Sequence, residues 1–333
     1  MRRLLARLAP ILHLTRITTA FAAIGNAWFV ILWSRAGAGH EPGNPALTAL
    51  PLGVVLLGGA ANALGLFAFA AALNDVLDLK RDRMIHPERP IPAGRLTLDA
   101  AIRLVLGTFM FAVLGAAVLG VQGVLMTLLV AAAVLFFNAA GKFVPAVGVV
   151  LIGLLYAGQM LTPNVALRFI WPVWLVMTHG LAVAVMVHAL RRKVPALSRR
   201  GTLFAIAAWA GCSSLVLALA WVRLGEDGLW PDWVAPGSAV GPGLLAALFA
   251  FMCWRKVRQY GPGPRAANKI ARYGALWLAL YSCAWLLGQA WAFGGAYTRA
   301  AWILTALTAA GFLGMTVLRE TYALLEQPLA YRR

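Results

Sequence analysis

The stretch NDVLDLKRDRMIHPERPIPAGRLT, residues 74–97, places three aspartates on one side of a predicted helix. Asp75, Asp78 and Asp82 stand at positions i, i+3 and i+7, which keeps them within about a 60° arc of an α-helix. Three carboxylates directed at one point suit Mg²⁺, which keeps several waters and is normally shared between carboxylates and a phosphate-bearing substrate. The pattern therefore predicts a magnesium site at these three aspartates, with a diphosphate as the substrate.

The residues around the aspartates predict a helix followed by a turn. Residues 74–82 contain no strong helix breaker, so the second predicted membrane span is expected to continue as a helix past the membrane edge. Three prolines and a glycine end it, and Thr97 or Asp99 is predicted to cap the next helix. Between these points, cationic or titratable side chains are placed to reach a diphosphate: His86, Arg89 and Arg95. The planar guanidinium fork of arginine matches phosphate geometry.

Composition indicates a membrane protein. Of the 333 residues, 62% are hydrophobic and 12% are charged, whereas soluble globular domains have about 25% charged residues. Apolar segments long enough to cross a bilayer, which takes roughly 17–25 residues, lie at 17–34, 52–73, 99–118, 121–139, 144–162, 170–190, 203–223, 240–255, 273–294 and 299–318. The sequence predicts an all-α transmembrane bundle of nine or ten helices, forming a single domain over residues 1–333. GPGPRAANK, residues 261–269, is predicted to be a flexible loop over the cavity mouth or an ordinary turn.

Charge alternates along the chain in the manner of a polytopic membrane protein. Lys and Arg concentrate at the N-terminus, in every second loop and at the C-terminus, whereas the remaining loops hold Glu41, Glu226, Asp227 and Asp232 with few cations. By the positive-inside rule, both termini and the aspartate loop are predicted to be cytoplasmic, in a bacterial-type inner membrane. The net charge of +18 is spread over loops without a nucleic-acid-binding motif, so membrane lipids, not nucleic acid, are the expected partner.

Membrane topology alone does not explain the acidic residues of this stretch. A topology signal accounts for Lys80, Arg81 and Arg83, because loops beside spans are often basic. The chain has eleven Asp and Glu residues in all, and four of them fall within fourteen positions on the basic side: Asp75, Asp78, Asp82 and Glu88. Their concentration favours a metal-diphosphate site.

The pattern NDxxDxxxD followed by RPIPAGR resembles the first aspartate-rich motif of the UbiA superfamily of intramembrane prenyltransferases. The resemblance implies a helical membrane enzyme that binds an isoprenyl diphosphate through Mg²⁺ and transfers the prenyl group to an aromatic or other lipophilic acceptor. It carries Asn74, Asp75, Asp78 and Asp82 over as the metal-diphosphate site. NAAGK, residues 138–142, resembles the segment where the family places a lysine near the diphosphate, which makes Lys142 a further candidate.

The chain departs from the family after the sixth predicted span. A second aspartate-rich motif is usual there, but VHALRRKVPALSRRG, residues 187–201, contains no acid. One interpretation is that Arg191, Arg192 and Lys193 bind the diphosphate where a second metal would sit. Another is that turnover has been lost and the protein binds or transports an isoprenoid or other amphiphile. A third is that the basic loop only sets membrane topology.

Isolated polar groups inside predicted spans are costly and are expected to face a cavity or a partner: Arg16, Asn26, Gln159, His179 and His188. The two histidines are nine residues apart, hence on opposite helix faces, which argues against a shared metal site. His188 lies one turn before Arg191 and is the better candidate for a pocket residue.

Overall fold

The computed structural model describes residues 9–16, 20–41, 43–225 and 228–326, and every regular element within these ranges is helical. Besides a helical turn at residues 9–14, there are twelve α-helices: α1 Phe21–Ala36, α2 Pro45–Ala49, α3 Leu52–Leu77, α4 Leu79–Ile85, α5 Leu98–Val118, α6 Gly120–Ala139, α7 Pro145–Leu161, α8 Trp171–Leu190, α9 Arg199–Leu224, α10 Val240–Tyr260, α11 Pro264–Phe293 and α12 Gly295–Glu326. Short 3₁₀ turns span Gly141–Phe143 and Pro236–Ala239.

Ten of these helices each correspond to one predicted span. In the described part of the chain, eight helices are long and apolar enough to cross a membrane, and α7 is a shorter apolar helix. The tenth, α1, runs from the neighbourhood of Arg16 to the loop holding His40. Residues 17–19 of the first predicted span lie outside the described residues. The prediction of an all-helical bundle is confirmed, and the chain is an integral membrane protein.

The helix that carries the aspartates, α3, packs closely on α5 through small residues. A methyl group at Gly65 would lie 2.6 Å from the Ala112 backbone nitrogen, and one at Gly115 would clash with the Asn62 backbone nitrogen. The Asn62 side chain then donates to the Ala112 carbonyl at 3.0 Å and to Thr127 Oγ1 at 2.8 Å. Small residues that let two backbones approach are the usual basis of helix association in membranes. This packing holds α3 in place, and with it the aspartate in its last turn.

At the end of the bundle away from the aspartates, a buried glutamate joins two loops. Glu41 accepts hydrogen bonds from Trp33 Nε1 at 3.2 Å and from the backbone nitrogens of Arg168 at 2.7 Å and Phe169 at 3.1 Å. The Trp33 and Phe169 rings stack with their centroids 4.9 Å apart. The loop after α1 is thereby tied to the loop before α8.

Two local predictions need correction, and one is confirmed. The second span does not continue as one helix through the aspartates, because α3 ends at Leu77 and α4 begins at Leu79, with a break at Asp78 where ψ is 2°. The flexible loop predicted for residues 261–269 is wrong: residues 261–263 form the turn that was the alternative, and α11 begins at Pro264, since proline fits the first helical turn. Thr97 caps α5 as predicted, accepting from the Ala100 nitrogen at 3.2 Å.

Candidate functional site

Asp75, in the last turn of α3, is buried and receives three donors on one oxygen. Its Oδ1 accepts from Arg16 Nη2 at 3.2 Å, Asn74 Nδ2 at 3.2 Å and Arg89 Nη1 at 3.4 Å. Arg16 was predicted only as a polar group that needs a partner, not as part of this site. The signal in the sequence was a cation inside an apolar segment, but its partner lies 59 residues away.

Asp82, on α4, is also buried and shares its partner with Asp75. Its Oδ2 accepts from Arg89 Nη1 at 2.5 Å. One guanidinium nitrogen therefore lies against carboxylates from two helices, which draws α3, α4 and the following loop together. Arg89 itself is about one quarter exposed, with a side-chain exposure of 27%.

Asp78 faces a different cation. Its Oδ1 accepts from Lys142 Nζ at 2.8 Å, and the same ammonium donates to Asn74 Oδ1 at 3.1 Å. Lys142 lies in the 3₁₀ turn Gly141–Phe143 between α6 and α7. Both side chains are mostly buried, with exposures of 14% for Asp78 and 13% for Lys142. The structure thus brings Lys142 to the aspartates from a separate part of the sequence.

The arrangement of the three aspartates fits a cation shared with a ligand better than a metal held by protein alone. Asp75 and Asp82 already converge on one positive charge, the Arg89 nitrogen. Within the described ranges, no group of three or more His, Cys, Asp or Glu side chains is close enough to hold a metal. Mg²⁺ is commonly bound by one or two carboxylates, with substrate phosphates and water completing its octahedron. Asp75 and Asp82 fit that role, whereas the metal contact predicted for Asp78, which pairs with Lys142 here, stays a prediction.

The loop after α8 brings further positive charge to this end of the bundle. Arg192 has a left-handed backbone with φ of 49°, and its nitrogen donates to the Ala189 carbonyl at 3.1 Å. The Lys193 nitrogen donates to the His188 carbonyl at 3.4 Å. This pair of bonds is the Schellman ending of a helix. Arg191 Nη2 donates to Asn268 Oδ1 on α11 at 2.6 Å, so the loop is held at both α8 and α11.

Burial and nearby cations lower the pKa values of two side chains in this loop. Loss of hydration, and then the charges of Arg16 and Arg89, lower the pKa of Arg191. Loss of hydration lowers the pKa of Lys193 as well, with contributions from Arg191, Arg81 and Lys142, against a raising effect of Asp78. These two side chains therefore lie within electrostatic range of the cations that pair with the aspartates.

The remaining predicted site residues have partners elsewhere. Arg95 is exposed and donates to the Glu88 carbonyl at 2.5 Å. His86 Nδ1 lies 3.2 Å from Glu88 Oε1, also in an exposed position. His188 Nε2 lies 3.2 Å from the Pro195 carbonyl. Arg95, His86 and His188 support the loops in this structure, and their approach to a ligand stays a prediction.

A cavity of about 340 Å³ opens beside Arg16 and Asn74 and extends between α1, α3, α6 and α7. Its wall is mostly apolar and includes Phe67, Val130 and Leu155. Gln159 lines it and is tied to α1 by a hydrogen bond to the Ala23 carbonyl at 3.1 Å. The charged cluster therefore stands at the mouth of an apolar chamber inside the membrane-spanning bundle.

A second cavity, of about 510 Å³, lies between α8, α10 and α11. His179 and Tyr281 line it and contact each other, with His179 Nδ1 3.2 Å from the Tyr281 hydroxyl. The other ring nitrogen of His179 lies 3.0 Å from the Gly274 carbonyl. His179 and His188 thus have different partners, and the absence of a metal site shared by them stays a prediction.

Comparison with known proteins gives a result at the level of fold. No protein-family model and no curated protein sequence matches the chain. Among solved structures, a digeranylgeranylglyceryl phosphate synthase matches with a TM-score of 0.51 at 16% identity, over 85% of this chain and 98% of that one. A UbiA homologue from Aeropyrum pernix K1 matches with a TM-score of 0.50 at 18% identity, over 79% and 94% of the two chains.

A UbiA homologue from Archaeoglobus fulgidus matches with a TM-score of 0.50 at 15% identity, over 83% of this chain and 98% of that one. These structures agree with the resemblance that the aspartate motif indicated. The identities are low and the coverage of both chains is high, so the likeness concerns the arrangement of helices. The chain has the helical fold of the UbiA superfamily.

Proposed function

We propose that the protein is a Mg²⁺-dependent intramembrane prenyltransferase. It would move an isoprenyl group from an isoprenyl diphosphate to an aromatic or other lipophilic acceptor, in a single domain whose aspartate end faces the cytoplasm of a bacterial-type inner membrane. The observation that carries the proposal is the convergence of Asp75 and Asp82 on one cation at the mouth of an apolar cavity. The UbiA fold supports it.

The charged residues suit the headgroup of such a substrate. Asp75 and Asp82 would hold Mg²⁺ together with phosphate oxygens, and the bound ion would neutralise the departing diphosphate. Arg89 and Lys142 now neutralise the aspartates, and the same groups can donate hydrogen bonds to phosphate oxygens. Asn74 holds both Asp75 and Lys142 by hydrogen bonds, so it positions the two sides of the site relative to each other.

The cavity suits the hydrocarbon part. In the proposed reaction, the bond between the allylic carbon and the diphosphate oxygen breaks, and its electron pair leaves with the diphosphate. The acceptor then forms a bond to that carbon and loses a proton. Water would capture an allylic cation, so a chamber lined by side chains such as Phe67, Val130 and Leu155 protects it. Charged donors fixed before the reaction stabilise the leaving group without reorganisation.

A second candidate function is supported by the loop after α8. That loop carries no acid, and every aspartate of the cluster is paired with a cation of the protein. Both features suit a protein that binds or carries an isoprenoid or another amphiphile without turning it over. Release of diphosphate separates the two functions, because a carrier breaks no bond.

The test is release of inorganic diphosphate from farnesyl or geranylgeranyl diphosphate by the purified protein in nanodiscs, with Mg²⁺ and a lipid extract as the source of acceptor. We expect the wild type to release diphosphate only with Mg²⁺, and Asp75→Asn to lose at least about 10²-fold in rate, the effect of removing one preorganised charge-stabilising group. Asp99→Asn is the matched control, since Asp99 is exposed at the start of α5. Binding of the diphosphate without release by the wild type would favour the carrier.

A further inference from the structure

We infer that Arg191 and Lys193 form a second, metal-free half of the anion site, so that one divalent cation per diphosphate is sufficient. The inference rests on the proposed function in taking the ligand to be a diphosphate and in placing a divalent cation at Asp75 and Asp82. It adds that one phosphate is shared with the cation at Asp75 and Asp82, while the other is bound directly by a guanidinium and an ammonium group.

The first support is the rigid placement of the loop. The Schellman ending of α8 reverses the chain at Arg192, so that Arg191 precedes and Lys193 follows the turn. The bond from Arg191 to Asn268 fastens the loop to α11. A basic segment that only marked membrane topology would need no such attachment, because topology depends on charge and not on a fixed side-chain position.

The second support is the balance of charge. Arg16, Arg89 and Lys142 each pair with an aspartate within 3.4 Å. Within the described residues, neither Arg191 nor Lys193 has a carboxylate within ion-pairing distance, although both lie near the other cations. Clustered like charges repel each other even at a partly exposed site, although solvent weakens the repulsion. A bound anion would remove it.

The third support is the chemistry of the two groups. A guanidinium donates two parallel hydrogen bonds to phosphate oxygens, and an ammonium donates in several directions. Arg191 remains exposed, so a phosphate can reach it. Lys193 experiences attraction from Asp78 and repulsion from Lys142, which places it beside the pair that borders the aspartates. A diphosphate that bridges these groups and the aspartate-bound cation needs no acid on the loop.

The test is calorimetric titration of the full chain in detergent with inorganic pyrophosphate, in Mg²⁺ and in EDTA. We expect the wild type to bind in both, about tenfold more weakly in EDTA, with one Mg²⁺ bound per complex. The variant Arg191→Gln with Lys193→Gln should lose at least about tenfold in affinity in both conditions, because two charge-assisted contacts are removed. The variant Arg191→Lys with Lys193→Arg keeps both charges but changes the donor geometry, so it should lose less affinity than the double glutamine variant.

The matched control is Arg199→Gln with Arg200→Gln, which removes the same charge from the exposed start of α9 and should leave the affinity within about twofold of the wild type. Thermal unfolding and circular dichroism verify that each variant is folded. Equal affinities for the Arg191/Lys193 and Arg199/Arg200 variants would overturn the inference, as would wild-type binding that requires two Mg²⁺ ions. Pyrophosphate binding involves no turnover, so failure of the proposed prenyl transfer would show separately as absent release of diphosphate.

Discussion

Arg89 shows how much one side chain organises at the aspartate end of the bundle. Its nitrogen lies 2.5 Å from Asp82 and 3.4 Å from Asp75, and both carboxylates are nearly buried. Removing one partner of a buried ion pair leaves an uncompensated charge, which typically costs about 3–5 kcal/mol. Arg89 is partly exposed, so the penalty here is smaller than that range. Neutralising Arg89 alone would therefore remove a cationic partner from both buried carboxylates and destabilise the site.

Arg192 occupies a backbone conformation that glycine adopts more readily. Its φ is 49°, at the position of a Schellman motif where glycine is usual. We expect Arg192→Gly to raise the free energy of unfolding by about 0.5–1 kcal/mol. The left-handed conformation is strained for a residue with a Cβ atom, and relief of this strain outweighs the larger chain entropy that glycine loses on folding. Thermal unfolding in detergent measures this. Arg192→Ala keeps the Cβ atom, and a gain as large as that of glycine would refute the backbone explanation.

The raised pKa of the buried Glu41 leads us to expect that stability depends on pH. Burial raises the pKa of Glu41 above 4.5, despite opposing hydrogen bonds from the Arg168 and Phe169 nitrogens and from Trp33. The folded state then binds the proton more tightly than the unfolded state, so this contribution to stability is full below about pH 4.5 and is lost as pH rises through the folded pKa.

Glu41→Gln removes this titration and serves as the reference. We expect the stability of the wild type relative to Glu41→Gln to fall as pH rises from about 4 through the raised pKa and then to level off. Unfolding midpoints of both proteins across this range provide the measurement. A difference that stays constant, or that grows with pH, would show that the carboxylate is ionised at little cost in the folded protein.

At the scale of elements, the contact between α3 and α5 determines the position of the aspartates. A methyl group at Gly65 would lie 2.6 Å from the Ala112 nitrogen, and the backbone there cannot yield without moving a helix. We expect Gly65→Ala to lower the free energy of unfolding by about 1–3 kcal/mol through overpacking and to reduce diphosphate release by displacing Asp75. Thermal unfolding and the release assay test both effects.

Gly107, within α5, is the matched control for Gly65 in α3. Nothing lies within 4 Å of a Cβ atom built there, so Gly107→Ala should be neutral or stabilising by up to about 1 kcal/mol, the difference in helix propensity. If the two substitutions had equal effects, helix propensity and not close packing would explain the result at Gly65.

Hydropathy was sufficient to predict the ten long helices, whereas local contacts decided their ends. Each of the ten predicted spans became a helix, because a backbone in lipid must satisfy its own hydrogen bonds. The residue types around Asp78 do not predict the break there. The Asp82 nitrogen still donates to the Asp78 carbonyl at 2.8 Å across the break. The start of α11 at Pro264 was not predicted, because the neighbouring glycines are equally typical of loops.

The same division applies to the site. The spacing of Asp75, Asp78 and Asp82 indicated a cation site, and Arg89 is close enough in sequence to be a natural partner. The contacts of Arg16 with Asp75 and of Arg191 with Asn268 join segments 59 and 77 residues apart. Such pairs depend on how whole helices pack, and a single sequence carries no signal for them.

At the scale of the molecule, the ten predicted crossings would place both ends of the described chain on the same side of the membrane as the aspartates. We expect His86→Cys and Glu320→Cys, in a background without native cysteines, to be labelled by an impermeant maleimide from the same face of oriented vesicles, and Gly39→Cys from the other. All three positions are exposed. The basic loops predict that the shared face is cytoplasmic. Labelling of His86→Cys and Glu320→Cys from opposite faces would mean an odd number of crossings between them.

The proposed prenyl transfer depends on a divalent cation held by Asp75 and Asp82 together with a diphosphate. The most direct measurement is the affinity of Mn²⁺, in place of Mg²⁺, for the complex of the full chain with inorganic pyrophosphate, followed by electron paramagnetic resonance. We expect one bound Mn²⁺ in the wild type and in Asp99→Asn, and an affinity at least about tenfold weaker in Asp75→Asn and Asp82→Asn, since even supporting groups of metal sites contribute 10–100-fold. Unchanged Mn²⁺ affinity in both aspartate variants would contradict the proposed site.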